Sequence, residues 1–313
     1  MSTDTRFISL NLSSNLAMMY QRLAMRILVD VTSSDAVSNF SSLDNLDKLD
    51  KSALRPAATV MLIRDIENGE FEVFMLQRTL NAAFAGGMYV FPGGRVDESD
   101  GIEELEQLCD GLDDEYASGL LEILSGGLAY WVAAIRECFE EAGVLLARST
   151  KTNQTIAFDQ PAIANRFDAA RLKIHDYSLS MVELCRSEDL HLITDSIHYV
   201  SHWITPVGEA RRFDTRFFVA RAPEAQEPLH DSQETIASLW VRPQDALDKL
   251  EHGELAMFPP TSENLKFLAN YKTSGEVLAA AKKVSRPVAI LPKLRTNSDG
   301  KVIGVLMPGD PGY

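Results

Sequence analysis

Nine consecutive residues, Arg136-Glu137-Cys138-Phe139-Glu140-Glu141-Ala142-Gly143-Val144, carry the densest chemistry in the 313-residue chain. At about 100° per residue, a helix places Glu137, Glu140 and Glu141 within an arc of roughly 100°. Trp131, Ile135, Cys138, Phe139 and Ala142 fill the other side at helical period. Gly143 stands where a helix most often ends. Three carboxylates on one face repel one another by a few tenths of a kcal/mol per like pair. Oxygen donors grouped in this way suit a hard divalent cation, Mg²⁺ or Mn²⁺. The alternative reading is a solvated acidic helix face without a ligand.

Upstream lies Phe91-Pro92-Gly93-Gly94-Arg95-Val96-Asp97-Glu98-Ser99-Asp100, a strand end, a Gly-Gly loop and an acidic cluster. With this stretch the chain resembles the Nudix hydrolases, whose signature is Gly, five residues, Glu, seven residues, then Arg-Glu-U-x-Glu-Glu-x-Gly-U, with U aliphatic. Arg136, Glu137, Glu140, Glu141, Gly143 and Val144 fit the second half, with Cys138 at its first U. Gly94 fits the opening Gly, and Asp100 stands where Glu is usual. Between Asp100 and Arg136 lie residues 101–135, so the box is split by an insert of about 28 residues. One branch of the family, the peroxisomal coenzyme A diphosphatase group with its bacterial relatives, is similar in carrying a long insert here.

The resemblance implies an α+β Nudix fold: a mixed β-sheet between helices, with a helical insert and a C-terminal hairpin extension. It implies metal-dependent hydrolysis of a diphosphate linkage in a nucleoside-diphosphate compound. Coenzyme A or acyl-coenzyme A is the first-choice substrate, giving 3′,5′-ADP and (acyl-)phosphopantetheine. ADP-ribose, NADH, nucleotide sugars and dinucleoside polyphosphates are the same-class alternatives. A non-catalytic nucleotide-sensing module is the alternative of another class. On this reading Glu137, Glu140 and Glu141 hold the metal, with Asp100 and a backbone carbonyl at Gly94. Arg136 orients Glu140 or Asp100 through a salt bridge. An acidic residue from a loop after the box, Glu234 first and Asp231 second, completes the site as general base or ligand.

The remaining chain must position this machinery. Residues 56–80 read as two strands about an Asn68-Gly69 hairpin. Met88–Phe91 delivers the Gly-Gly turn, where glycine permits close backbone approach. The acidic insert, 101–128, reads as one or two short helices ending at Gly126-Gly127, either a solvated cap or a lining of the cleft. Ala162–Lys173 and Ser180–Ser187 read as helices, the second capped by Ser180 with Glu183. His198–Pro206 and Arg211–Ala220 read as strands. Alternation then puts Arg212, Asp214 and Arg216 on one face. Arg211, Arg212 or Arg216 either grips a substrate phosphate through its planar fork or pairs internally with Asp214. Residues 275–313 read as a tail with an Asp299-Gly300 hairpin, which either covers the site or pairs with a second subunit, leaving a homodimer open.

Bulk properties limit the partners. The net charge of −15 argues against nucleic acid. At 45% hydrophobic residues the chain can build a full core. Cys109, Cys138 and Cys185 form no metal-ligand spacing and read as free thiols. With neither a signal peptide nor an 18-residue apolar run, no membrane association and a cytoplasmic location are expected. The chain ends Gly-Asp-Pro-Gly-Tyr, without a Ser-Lys-Leu address. The expected organisation is an N-terminal extension and linker over 1–54, a catalytic domain over 55–274 and the extension over 275–313.

Overall fold

β1 (Arg55–Asp65) is the strand on which the sheet is assembled. A computed structural model describes residues 54–79, 86–228 and 235–313. The expected N-terminal extension, Asp231 and Glu234 lie outside these residues. The C-terminal end of β1 pairs antiparallel with β2 (Phe71–Arg78) through Ile63↔Val73 and Asp65↔Phe71. Gly69, at φ +80°, makes the predicted hairpin turn. The N-terminal end pairs antiparallel with β4 (Gly93–Arg95), which follows β3 (Tyr89–Val90). β8 (Phe213–Arg221) runs parallel to β1 from Arg55↔Phe213 to Ile63↔Arg221. β7 (His198–Ile204) and the short β10 (Ala289–Ile290) extend the sheet beyond β8, while β9 (Thr235–Val241) pairs with β2. β5 (Ala147–Ser149) and β6 (Leu190–Leu192) form a separate two-stranded sheet.

Strand alternation sends apolar side chains to both faces, so the sheet is buried twice. Val60, Leu62 and Phe218 face one core, which holds α1 (Glu103–Glu106), α2 (Asp114–Leu121), α3 (Leu128–Ala142), α4 (Pro161–His175) and α5 (Met181–Ser187). Met61, Ile63, Phe217 and Val219 face the other, covered by α6 (Pro243–Glu251), α7 (Pro259–Ala269) and α8 (Ser274–Ala281). This is the mixed sheet between helices that the sequence predicts.

Three expectations change in detail. Gly93 and Gly94 are not a free turn but lie in β4, opposite Thr59 and Ala58. A Cβ on Gly93 would stand 2.5 Å from the Ala58 carbonyl, so the requirement here is close strand approach. β8 begins at Phe213, leaving Arg211 and Arg212 before it. The boundary expected after 274 falls in the first turn of α8, whose Val277 and Ala281 are buried in the second core. Beyond β10, the predicted hairpin forms from β11 (Lys293–Thr296) and β12 (Val302–Leu306).

The insert has a definite structural task. A helix leaves its first backbone N–H groups without internal acceptors. Asp114 supplies acceptors for α3: its Oδ1 takes the Leu128 N–H at 3.0 Å and its Oδ2 the Gly126 N–H at 2.8 Å. Ser118 Oγ accepts the Gly127 N–H at 2.9 Å. A Cβ on Gly127 would stand 2.2 Å from the Ser118 nitrogen, so α2 sits directly against the helix start. A carboxylate at that end also complements the helix dipole. The insert is therefore the N-terminal support of α3 rather than a detached cap.

Asp114→Ala is expected to cost roughly 0.5–2 kcal/mol in chemical denaturation. Gly127→Ala is expected to cost more, because backbone must move. Unchanged midpoints for both would show that the insert does not hold α3.

Candidate active site

α3 is buried almost all round, because α2 and α4 cover the sides that the sheet leaves open. Its Glu137 and Glu140 side chains are only 14% and 12% exposed. The acidic residues are thus not a solvated helix face, and their charge must be met within the protein.

Arg136 meets part of it. Its guanidinium is 7% exposed and all five of its N–H groups find acceptors. Nε donates to Asp100 Oδ1 at 2.8 Å and Nη2 to Asp100 Oδ2 at 2.9 Å. Nη2 also donates to the Arg95 carbonyl at 2.8 Å. Nη1 donates to Glu137 Oε1 at 2.9 Å and Glu140 Oε1 at 2.8 Å. The halves of the box, 36 residues apart in sequence at this pair, are rejoined by a bidentate ion pair. Asp100, expected among the metal ligands, is instead turned to Arg136: its Oδ2 also accepts the Asp97 N–H at 2.8 Å, and the residue is 2% exposed. The carboxylate at this position anchors the guanidinium.

Glu141 points to the Gly-Gly strand. Its Oε2 accepts the Gly93 N–H at 2.8 Å, and its Oε1 lies 3.9 Å from Arg78 Nη1. Gly94 faces Glu137 so closely that a Cβ would meet its carboxylate at 2.4 Å. β4 thereby holds both ends of the acidic face. α4 closes the far side, where Arg171 Nε donates to the Glu140 backbone carbonyl at 2.8 Å and His175 Nδ1 lies 3.5 Å from Glu140 Oε2. Residue types gave no warning of Arg171 and His175, whose place depends on the path of the chain after the box.

The charge does not balance locally. Four carboxylates, Asp97, Asp100, Glu137 and Glu140, lie within 4 Å of the one Arg136 guanidinium. Burial, with Glu140 and Asp100 adding to it against the pull of Arg136, pushes the Glu137 carboxyl up to about 7. As placed, no three His, Cys, Asp or Glu side chains among the described residues converge as a finished metal cage. The oxygen-only donor set, the glycine cradle and the excess negative charge suit a hard divalent cation.

The arginines after the box are placed otherwise. Arg212 is 6% exposed and donates through Nε to the Thr205 carbonyl at 3.1 Å. Arg216 is 4% exposed, lies 3.4 Å from Asp214 through Nη1, and sits near the rings of Tyr130 and Tyr199. Asp214 also contacts His202 Nε2 at 2.5 Å. The internal pairing with Asp214 is what forms. Nε and Nη1 of Arg216 are buried without a hydrogen-bond acceptor, and Arg211, although exposed, lies off the strand.

Asp100→Ala leaves a buried cation without its bidentate partner and is expected to destabilise by roughly 3–5 kcal/mol in urea denaturation; a loss under about 1 kcal/mol contradicts the anchoring role. A raised carboxyl pKa means that the folded state holds a proton the unfolded chain has released. In chelator, stability relative to Glu137→Gln is therefore expected to fall as pH rises from about 4.5 to about 7 and then to level off. A difference independent of pH would contradict it.

The sequence matches the family model of the NUDT19 Nudix domain over residues 113–268. It is 27% identical over 286 residues to the acyl-coenzyme A diphosphatase NUDT19 of Gallus gallus, covering 78% of this chain and 73% of that protein. The corresponding Homo sapiens protein is 26% identical over 274 residues, covering 78% and 72%. The fold superposes on a Nudix hydrolase from Alicyclobacillus acidocaldarius with a TM-score of 0.58 and 26% identity, over 76% of this chain and all of that one. With the split box closed by Arg136 and Asp100, the sequence matches and the shared fold lead to one conclusion: the chain carries a Nudix hydrolase domain that matches the NUDT19 Nudix domain over residues 113–268.

Proposed function

We propose that the protein hydrolyses the diphosphate linkage of coenzyme A or its acyl esters, releasing 3′,5′-ADP and (acyl-)phosphopantetheine. The observation that carries the chemistry is the buried excess of carboxylate around Arg136, on a helix held at both ends. Likeness to the two NUDT19 proteins supports the choice of substrate.

Glu137, Glu140 and Glu141 are the side chains that would hold Mg²⁺ or Mn²⁺, which when bound neutralises phosphate charge and acidifies water. Arg136 fixes Glu137 and Glu140 by one nitrogen while Asp100 fixes Arg136, so the carboxylates are oriented before substrate arrives. Glu141 is oriented by the Gly93 N–H. The proton of the attacking water would pass to one of these carboxylates or to Glu234. The attack breaks one phosphorus–oxygen bond of the anhydride and forms one to water. Both products leave as phosphate monoesters. No described helix is long and apolar enough to cross a membrane.

Glu140→Gln is expected to stay folded and lose at least about 100-fold in kcat with Mg²⁺ or Mn²⁺. Hydrolysis of coenzyme A and an acyl-coenzyme A should exceed that of ADP-ribose, NADH and diadenosine polyphosphates. Preference for another member of the panel would overturn the substrate assignment alone. Folded, metal-binding protein with no turnover on any of them would favour a nucleotide sensor.

A further inference from the structure

The end of α4 reaches the active site and then turns in an unusual way. Tyr177 N–H donates to the Ile174 carbonyl at 3.0 Å, and Ser178 N–H to the Lys173 carbonyl at 2.9 Å. These two bonds make the Schellman closure of a helix, whose pivot takes the left-handed conformation and is usually glycine. Here the pivot is Tyr177 at φ +61°. A bulky side chain in that region is strained, and such strain collects at functional sites. The ring is not recovered by the core, since Tyr177 is 78% exposed.

Its position is specific. His175, two residues earlier, lies against Glu140, and Arg171, on the same helix, holds the Glu140 carbonyl. The carboxylate of Asp97 first, then burial, then Glu140 push the phenol pKa up. Asp176 and Ser178 on either side are exposed and polar. A flat aromatic face in polar surroundings, next to groups that handle a diphosphate, suits a purine ring: every base offers a π-face, and stacking tolerates a wet setting. An acyl chain would instead require a continuous apolar groove.

We propose that Tyr177 is a substrate-binding residue that stacks on the nucleobase of the nucleotide half, held over the recess by the strained turn. This rests on the nucleotide-diphosphatase reading. The base would lie on the α4 side of Glu140.

The test uses the full chain and two substitutions. Tyr177→Gly relieves the left-handed strain, and Tyr177→Phe keeps the stacking face. With Mg²⁺, Tyr177→Gly is expected to raise KM about five-fold or more for both coenzyme A and acyl-coenzyme A, with kcat within about two-fold. Calorimetric binding of 3′,5′-ADP should weaken in parallel, while that of 4′-phosphopantetheine stays unchanged. Tyr177→Phe should keep the wild-type values. Thermal stability of Tyr177→Gly should equal or exceed wild type, which separates the effect from unfolding.

Unchanged KM and unchanged 3′,5′-ADP affinity in Tyr177→Gly would overturn the proposal. So would a loss that follows the acyl chain or phosphopantetheine instead of the base. Absence of coenzyme A turnover in the wild type would strike the substrate assignment alone, because 3′,5′-ADP binding still decides the role of Tyr177. If 3′,5′-ADP fails to bind even the wild type, the proposal falls.

Discussion

The ion pair between Arg136 and Asp100 is the constraint on which the active site depends. A guanidinium with all five N–H groups engaged cannot shift without leaving a buried donor unmet, and such groups are costly. Lysine could not reproduce the arrangement, because a point charge has no planar fork. The pair joins the end of the β4 segment to the middle of α3, fixing the glycine strand against the acidic helix. The same arginine that neutralises Asp100 is left facing further carboxylates, and the excess is what gives the site its appetite for a cation.

Supports on either side keep that geometry rigid. Asp114 and Ser118 hold the start of α3 from within the insert, and Arg171 takes one of its last carbonyls from α4. Splitting the signature therefore does not split the site. The inserted residues leave the chain after Asp100, build a platform for the helix start, and return it so that Arg136 meets Asp100. An insertion at a surface loop is tolerated at small entropic cost. This one also contributes caps and buried apolar side chains, among them Leu105, Ala117 and Leu121.

Local chemistry was legible where it is written in residue type and spacing. The helical period around Glu137, Glu140 and Glu141, the stop at Gly143, the Asn68-Gly69 hairpin and the Ser180 capping box all follow from backbone preferences that act over a few residues. The acidic face looked equally compatible with a solvated surface, since sequence does not reveal what covers a helix. Its burial is a property of packing by α2 and α4. The pairing of Asp100 was hidden for a similar reason: a carboxylate type does not say that its oxygens meet a guanidinium 36 residues away. The alternation of Arg212, Asp214 and Arg216 is visible in the sequence, while the packing of His202 on Asp214 and of Tyr130 and Tyr199 near Arg216 comes from contacts across strands. Nothing in the type of Tyr177 announced its strained turn, because a left-handed residue other than glycine leaves no mark on the sequence.

The central claim is that buried carboxylate charge around Arg136 is matched by a divalent cation at Glu137. Calorimetric titration with Mn²⁺, run in buffers of different ionisation enthalpy, tests it most directly. Near pH 6 the Glu137 carboxyl, with a pKa of about 7, is largely protonated, so Mn²⁺ must displace close to one proton per site, and above about pH 8 almost none. Glu137→Gln should abolish that proton release and weaken binding. Tight Mn²⁺ binding with no proton release at pH 6, unaltered by Glu137→Gln, would place the metal elsewhere and contradict the account.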